Sequence, residues 1–414
     1  ASQIGFVGCI FRNNNTTHDG TVVRTKGSVT FENCQMLSNF HFFHGSGATG
    51  TFSGCLFDSN LGERDGGACI AFQGGSNVSI TNCIFRNNRC TTNYDWSHAC
   101  ILLYTTTSAT ISDCLFEGNV ADKFCDGIVW TGGTVERCRF IGNKGTPNQS
   151  CRVTAGVNLG GDALVRDCLF ASNVVTAVKT SSGNSYNYAS AIMHVNGRSS
   201  VINCSFIDNR VEGEVDASDD VGVVAAEIGN WANGLGLAHC SFRGNSLEAT
   251  GTERKGTINA GSWSADTDGG IGIANCAVAR TVGAPALYVK EGKEASVFTS
   301  ALFGWDENPE PEFLDKLAEV DGLPPQLRLT GFSPDSYIRG GTLVYLNGRI
   351  AGVYAPDVDA AKPYITLPSP VSHNASTTAE VVPVPDAFGA ARRLKKIAYG
   401  AVNPLPKGLM IQVR

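Results

Sequence analysis

Short runs of alternating apolar and polar residues, each closed by a polar corner, recur along most of this chain. Three of them are "SITNCIFRNN" (79–88), "TISDCLFEGN" (110–119) and "VINCSFIDN" (201–209). Aligned on the cysteine, the copies fall at Cys9, Cys34, Cys55, Cys83, Cys114, Cys138, Cys168, Cys204, Cys240 and Cys276, with Ala301 in the same slot of "VFTSALFGW", which makes eleven. The position two residues on is apolar in every copy: Phe11, Met36, Phe57, Phe85, Phe116, Phe140, Phe170, Phe206, Phe242, Val278 and Phe303. Successive side chains of a strand point to opposite faces, so Cys-x-Phe is a three-residue strand with both ends turned inward. Five residues after the cysteine stand Asn14, Asn39, Asn60, Asn88, Asn119, Asn143, Asn173, Asn209 and Asn245, replaced by Thr281 and Asp306 in the last two copies. Asparagine tolerates a left-handed bend and carries both donor and acceptor, so it is expected to form a sharp corner and to bond along a stack.

Upstream, Val78 and Ile80 share one parity and Cys83 and Phe85 the other, which requires a bend at Thr81-Asn82 between two short strands. A third apolar segment precedes each pair, as in "GGACIAF" (66–72), "HACILLY" (98–104), "DGIVW" (126–130), "AIMHV" (191–195) and "GVVAAEI" (222–228). Three short strands per copy, in copies 21 to 36 residues apart, predict an all-β chain wound as a parallel β-helix. Equivalent residues of neighbouring coils then stack about 4.8 Å apart, and eleven coils give a rod on the order of 50 Å long. Stacking sets cysteine over cysteine (Cys83, Cys114, Cys204), phenylalanine over phenylalanine (Phe85, Phe116, Phe206) and asparagine over asparagine (Asn88, Asn119, Asn209). The cysteines are read as small buried apolar residues, because no Cys-x-x-Cys pair or histidine partner gives them metal-ligand spacing.

The Phe-x-x-Asn copies and the Gly-Gly-Ala-Cys-Ile at 66–70 resemble the repeats of right-handed parallel β-helix proteins of bacterial surfaces, of the polymorphic outer-membrane and autotransporter-passenger type. The resemblance covers roughly residues 1–305 and implies a right-handed solenoid and an extracellular or cell-surface location in a bacterium. It supplies no catalytic set, because one solenoid carries lyases, hydrolases, adhesins and rods alike. The regular pattern ends near Phe303, and the proline- and acid-rich 304–330, with a short helix expected at "EFLDKLAEV", reads as the end of the solenoid and a connector. Residues 331–414 read as a small β module with a hairpin turning at Asn347-Gly348. Within it, 386–402, with Asp386, Gly389, Arg392, Gly400 and Ala401, resembles the ending of secreted β-helix proteins that lead to a surface anchor.

The long insertions all fall between the asparagine corner and the third strand: "FHFFHGSG", "RCTTNYDWSH", "VADKFCDG", "KGTPNQSCRVTAG", "VVTAVKTSSGNSYNY" and "RVEGEVDASDD". Stacked coils gather them into a ridge on one side of the rod, the kind of face along which solenoids bind. Tyr94, Trp96, Tyr186 and Tyr188 are its aromatic ligand-binding candidates, joined by Asp95 and His98, the near pair of acid and imidazole. Packing of loop against loop explains the same aromatics. The run Phe40, Phe42 and Phe43, with His41 and His44, is expected to cover the wall of the coil. Asp216, Asp219 and Asp220 form the one acidic knot, where calcium would fit if any cofactor is used; solvated acids are the alternative. Cys90, Cys125 and Cys151 lie outside the ladders in loops of consecutive coils, and at most one bridge, Cys90 to Cys125 or Cys125 to Cys151, is expected among them.

A net charge of -6 leaves no basic stripe for nucleic acid, and no apolar run is long enough to cross a bilayer. Its 48 glycines and 17% charged residues suit a turn-rich, strand-dominated chain. The chain starts inside a coil at "ASQIGFVGCIF", so contact with further coils or another subunit is expected at that end. Two functions fit: an adhesin-like binding or structural rod for a polysaccharide or other cell-surface ligand, and a polysaccharide lyase or glycoside hydrolase working beside the ridge.

Overall fold

A computed structural model describes residues 3–298 apart from 16–21, 63–67, 105–107, 148–152, 162, 180–188, 197–198, 227–233, 239, 262–269, 275, 279–280 and 290–293, together with four short strands between 343 and 382. Every regular element among the described residues is a strand. Three parallel sheets, of 11, 15 and 10 strands, wall the coil. The first, sheet A, takes the strand before each ladder cysteine (Asn77–Thr81, Ser108–Ser112), and its 11 strands give eleven coils. The 10-stranded sheet B takes the Cys-x-Phe strand (Ile84–Arg86, Leu115–Glu117), and the 15-stranded sheet C the third apolar segment (Ile70–Gln73, Arg89–Tyr104, Val120–Thr131). Register keeps like over like, Ile80 opposite Ile111 and Phe85 opposite Phe116. The described residues of 3–298 are wound as an all-strand parallel β-helix.

The ladders are geometrically regular. From Phe57 through Phe85, Phe116, Phe140, Phe170 and Phe206 to Phe242, successive rings stack at centroid separations of 4.5 to 4.9 Å and within 7° of parallel. All seven are fully buried in the core. The cysteines beside them are unoxidised thiols; Cys114 donates its S–H to the carbonyl of Ser112 at 3.1 Å, two residues back. Burial pushes the Cys168 and Cys204 thiols well above their ordinary range, so both stay protonated and unreactive at neutral pH.

At the corners, the asparagine is used differently from the expectation. The residue in the left-handed region is the one before it: Ser59 (φ 58°), Asn87 (φ 55°), Ser172 (φ 55°) and Asp208 (φ 52°). A second left-handed residue, such as Asn82 (φ 52°) or Asp113 (φ 55°), makes the bend between sheets A and B. The ladder asparagine itself is buried, and every hydrogen-bonding group of its amide is engaged. Asn119 Nδ2 donates to the Phe85 carbonyl of the preceding coil (2.9 Å) and to Asn143 Oδ1 of the following one (2.9 Å). Its Oδ1 accepts from the backbone N–H and Nδ2 of Asn88, both at 3.0 Å. The pattern runs from Asn14 to Asn245.

Three strands per coil is also an undercount. A fourth, of two to four residues, follows the corner in several coils: Leu61–Gly62, Lys144–Thr146, Val174–Ala177, Arg210–Gly213 and Ser246–Leu247. These pair with one another, or with the first residues of Arg89–Tyr104 and Val120–Thr131, as a branch of sheet C. Further along the chain, Leu343–Leu346, Arg349–Tyr354, Tyr364–Thr366 and Glu380–Val382 form a four-stranded antiparallel sheet, in which Leu346 lies opposite Arg349 across Asn347-Gly348. The connector 304–330 and the anchor-like 386–402 lie outside the described residues.

Candidate functional site

The insertions enter sheet C, and there the rule of apolar inside and polar outside breaks down. One row of that sheet, Ile101, Val129, Val157, Met193, Val224 and Ile258, faces the core. The next residue along each strand faces out: Leu102, Trp130, Asn158, His194, Ala225 and Asn259, continuing to Tyr288. Outward residues on a rod should be wet, yet Asn158, His194 and Asn259 have no exposed surface and Trp130 retains 7%. Trp130, Leu102 and Ala71 form an apolar cluster of their own, separate from the core.

Buried polar groups need hydrogen bonds, and those made here tie coil to coil, while Asn158 Nδ2 and Asn259 Oδ1 are buried without one. His194 Nδ1 lies 2.9 Å from Asn158 Oδ1; a carboxamide oxygen accepts, so Nδ1 carries the hydrogen. Asn259 Nδ2 donates to the carbonyls of Val221 (3.0 Å) and Arg254 (2.9 Å), pinning the return of its own coil's insertion to the coil before. A second row closes on the first across a bend: His98 is opposite Gly127, and Thr154, Ala191, Gly222 and Gly256 continue it. Two glycines there are required by closeness. A Cβ on Gly127 would collide with Thr154 Oγ1, and one on Gly256 would sit 2.7 Å from Tyr288 Cβ. The extra residue that makes the bend shows as a register shift between His98 and Ile101 and again between Thr154 and Val157.

His98 is brought into this seam: it is fully buried, with its ring 5.9 Å from that of Trp130. Tyr94, Asp95 and Trp96 lie on the strand Arg89–Tyr104, where the register with Val120–Thr131 shifts between Thr92 and Ser97; their side chains are outside the described residues, as are Tyr186 and Tyr188 altogether. In the acidic knot, Asp219 Oδ2 accepts the Asp216 N–H (3.0 Å) and the Asp219 N–H is donated to the Asp216 carbonyl (2.9 Å), which makes a closed turn. Thr252 and Arg254 hold that turn through the carbonyls of Ala217, Asp219 and Ser218. Asp220 lies instead over Gly261. Among the described residues no three His, Cys, Asp or Glu side chains converge as a metal site. Phe42 and Phe43 are core residues, and His44, half-buried on the outer row, has its pKa lowered by burial and by the neighbouring Arg24. Cys90 is buried and disulfide-bonded, while the side chain of Cys125 and the whole of Cys151 are outside the described residues.

Sequence reasoning missed Asn158, His194, Asn259 and Trp130. For the three polar residues the signal was present: each stands alone between apolar neighbours, as His194 does between Met193 and Val195, and period 2 turns such a residue outward. Burial on the outward face comes from what covers it.

Residues 1–190 match the family model for a right handed beta helix region. No curated protein and no solved structure matches the chain. No described helix is long and apolar enough to cross a membrane.

Proposed function

We propose that this chain is an extracellular or cell-surface binding rod, adhesin-like, whose ligand lies along the insertion ridge of sheet C. The observation that carries the reading is the column of short strands after the asparagine corner. The insertions of successive coils are hydrogen-bonded to each other in register before they leave the wall, as Val174 with Arg210 and Val175 with Val211. An ordered row of insertions, repeating about every 4.8 Å along the axis, suits an extended polymer better than a compact molecule. A polysaccharide has that form, and Tyr94 and Trp96 are of the residue type that stacks on sugar rings. The disulfide at Cys90 supports an oxidising location.

A polysaccharide array, followed by titration of any hit, tests the reading. Trp96→Ala is expected to weaken binding by about tenfold or more, as aromatic anchors do. Ile84→Ala, at an exposed position of sheet B, should change it less than twofold. Equal losses from both would place the site elsewhere, and depolymerisation of the bound polymer would replace the binding rod with the lyase or hydrolase reading.

A further inference from the structure

The outer face of sheet A carries a lattice of hydroxyls over its second to sixth strands, and we propose that this wall binds ice. Period 2 turns Ser79 outward between the core residues Val78 and Ile80, and register sets it opposite Thr51 on one side and Thr110 on the other. Thr30 and Thr134 extend the row, so five successive coils present a hydroxyl at the same position. Two residues back along the strands, Thr49, Asn77 and Ser108 make a second row. Two residues on, Ser53, Thr81 and Ser112 make a third, with Glu32 and Glu136 at its ends. The register runs unbroken through these strands, which fixes the spacing in both directions: about 4.8 Å from coil to coil and about 6.6 Å from row to row.

The fold does not use these hydroxyls. Among the described residues, none of Thr30, Thr51, Ser79, Thr110 and Thr134 makes a side-chain hydrogen bond, and all five are part-exposed. Strand propensity accounts for the threonines but not for Asn77 or the serines beside them. Over the same coils, moreover, the outward positions of sheet B hold Leu56, Asp58, Ile84, Arg86, Leu115 and Glu117. Charge and period then select the ligand. No residue inside the three rows is charged, so an ionic partner has nothing to pair with, and none is aromatic, so a sugar ring has nothing to stack on. The sites repeat in two directions, whereas a single polymer chain repeats in one. The complementary surface is neutral, periodic in two directions and made of oxygens that both donate and accept, as each hydroxyl does. The prism face of ice is such a surface, with repeats close in size to the two spacings. Hydroxyls already ordered on a rigid wall need little further ordering to bind it. This wall is separate from the insertion ridge of sheet C, and it can act whatever the ridge binds.

Slowly growing ice is the probe, with the full chain compared against a globular protein of similar size that ice excludes. Enrichment of the chain in the ice fraction, faceted crystals and a gap between melting and freezing points are expected. Thr51→Lys and Thr110→Lys, each placing a flexible charge in the middle row, should lose all three signs, while Ile84→Lys on sheet B keeps them. Exclusion of the native chain from ice to the level of the comparison protein overturns the proposal, as does equal loss from Ile84→Lys. Retention on insoluble cellulose or chitin that Thr51→Lys abolishes, without partition into ice, would overturn it too and give the wall to a crystalline polysaccharide. Where a lysine variant does not fold, the double variant Thr51→Val with Thr110→Val, which keeps the shape and removes two hydroxyls, takes its place. A partial loss of enrichment is then expected, and undiminished enrichment counts against this wall.

Discussion

Sheet B and the outer face of sheet C solve the same problem, how to stack coils of unequal length, in opposite ways. In sheet B each coil repeats the one before: phenylalanine on phenylalanine at 4.5 to 4.9 Å, and an asparagine amide bonded both up and down. On the outer face of sheet C no two neighbours are alike, and Trp130, Asn158, His194, Ala225 and Asn259 succeed one another in one row. Repetition makes the first self-sufficient, since whatever satisfies one rung satisfies all. The second depends on particular pairs such as His194 with Asn158, and so tolerates insertions of different length and composition. The rigid wall and the variable wall are the two halves of a display scaffold.

Breaking a rung of the asparagine ladder should cost most. Asn119→Ala leaves the Asn88 N–H without its acceptor, takes from the Asn88 Nδ2 one of its two acceptors, the Phe57 carbonyl remaining, and removes the side-chain donor to the Phe85 carbonyl, all buried. At about 1–3 kcal/mol per orphaned group the loss should be about 3–6 kcal/mol, seen as a drop in urea midpoint and faster hydrogen exchange in the coils on either side. Phe116→Ala should follow at about 3–5 kcal/mol, the range for emptying a buried ring position, with Phe85 and Phe140 losing a stacked neighbour. Exchange accelerated equally in distant coils would contradict the nearest-neighbour picture.

His194→Ala is expected to cost less, about 1–2 kcal/mol, because one buried bond to Asn158 is lost. Its effect should appear in the exchange of Val153–Gly160 and Ala189–Asn196 while the ring ladder is untouched; a change spread through sheet B would show that the two walls are not independent.

The smallest effect belongs to the exposed charges. Hydrogen bonding from Arg137, opposed by partial burial, holds the Asp113 carboxyl below the ordinary carboxylate range. A depressed carboxylate stabilises above its unfolded pKa, and that contribution disappears as pH falls through the folded value. Arg137→Gln should therefore cost up to about 1 kcal/mol at neutral pH, given the exposure of the pair, and nothing at pH below about 2. Acid unfolding curves of the two proteins should converge at low pH; curves that stay parallel would show that the guanidinium acts by packing.

The coil, its count and its three ladders were legible in the sequence because each rests on a local spacing, cysteine to phenylalanine to asparagine, that stacking repeats. The left-handed residue was placed one position late. Gly118, Ser59, Asn87 and Asp208 vary at the true corner, while the constant asparagine beside them is kept for its amide. Strands such as Leu61–Gly62 were invisible because two residues cannot show a period. His98 read as a loop residue because nothing local says that the strand Arg89–Tyr104 continues through the insertion and buries it against Trp130.

The one-way order of the ladder amides also has a mechanical meaning. Each Nδ2 donates to the asparagine oxygen of the coil that follows and to a carbonyl of the coil before, and the backbone bonds of all three walls likewise bridge coil to coil, along the axis. Tension applied end to end is therefore carried by the bonds of three walls and an amide rung acting side by side at each interface. These bonds must yield together rather than peel in turn. A sideways force on the ridge meets a different resistance, since the covalent strand runs across the axis there. Such a molecule is stiff in the direction of pull and lets its outer segments give first.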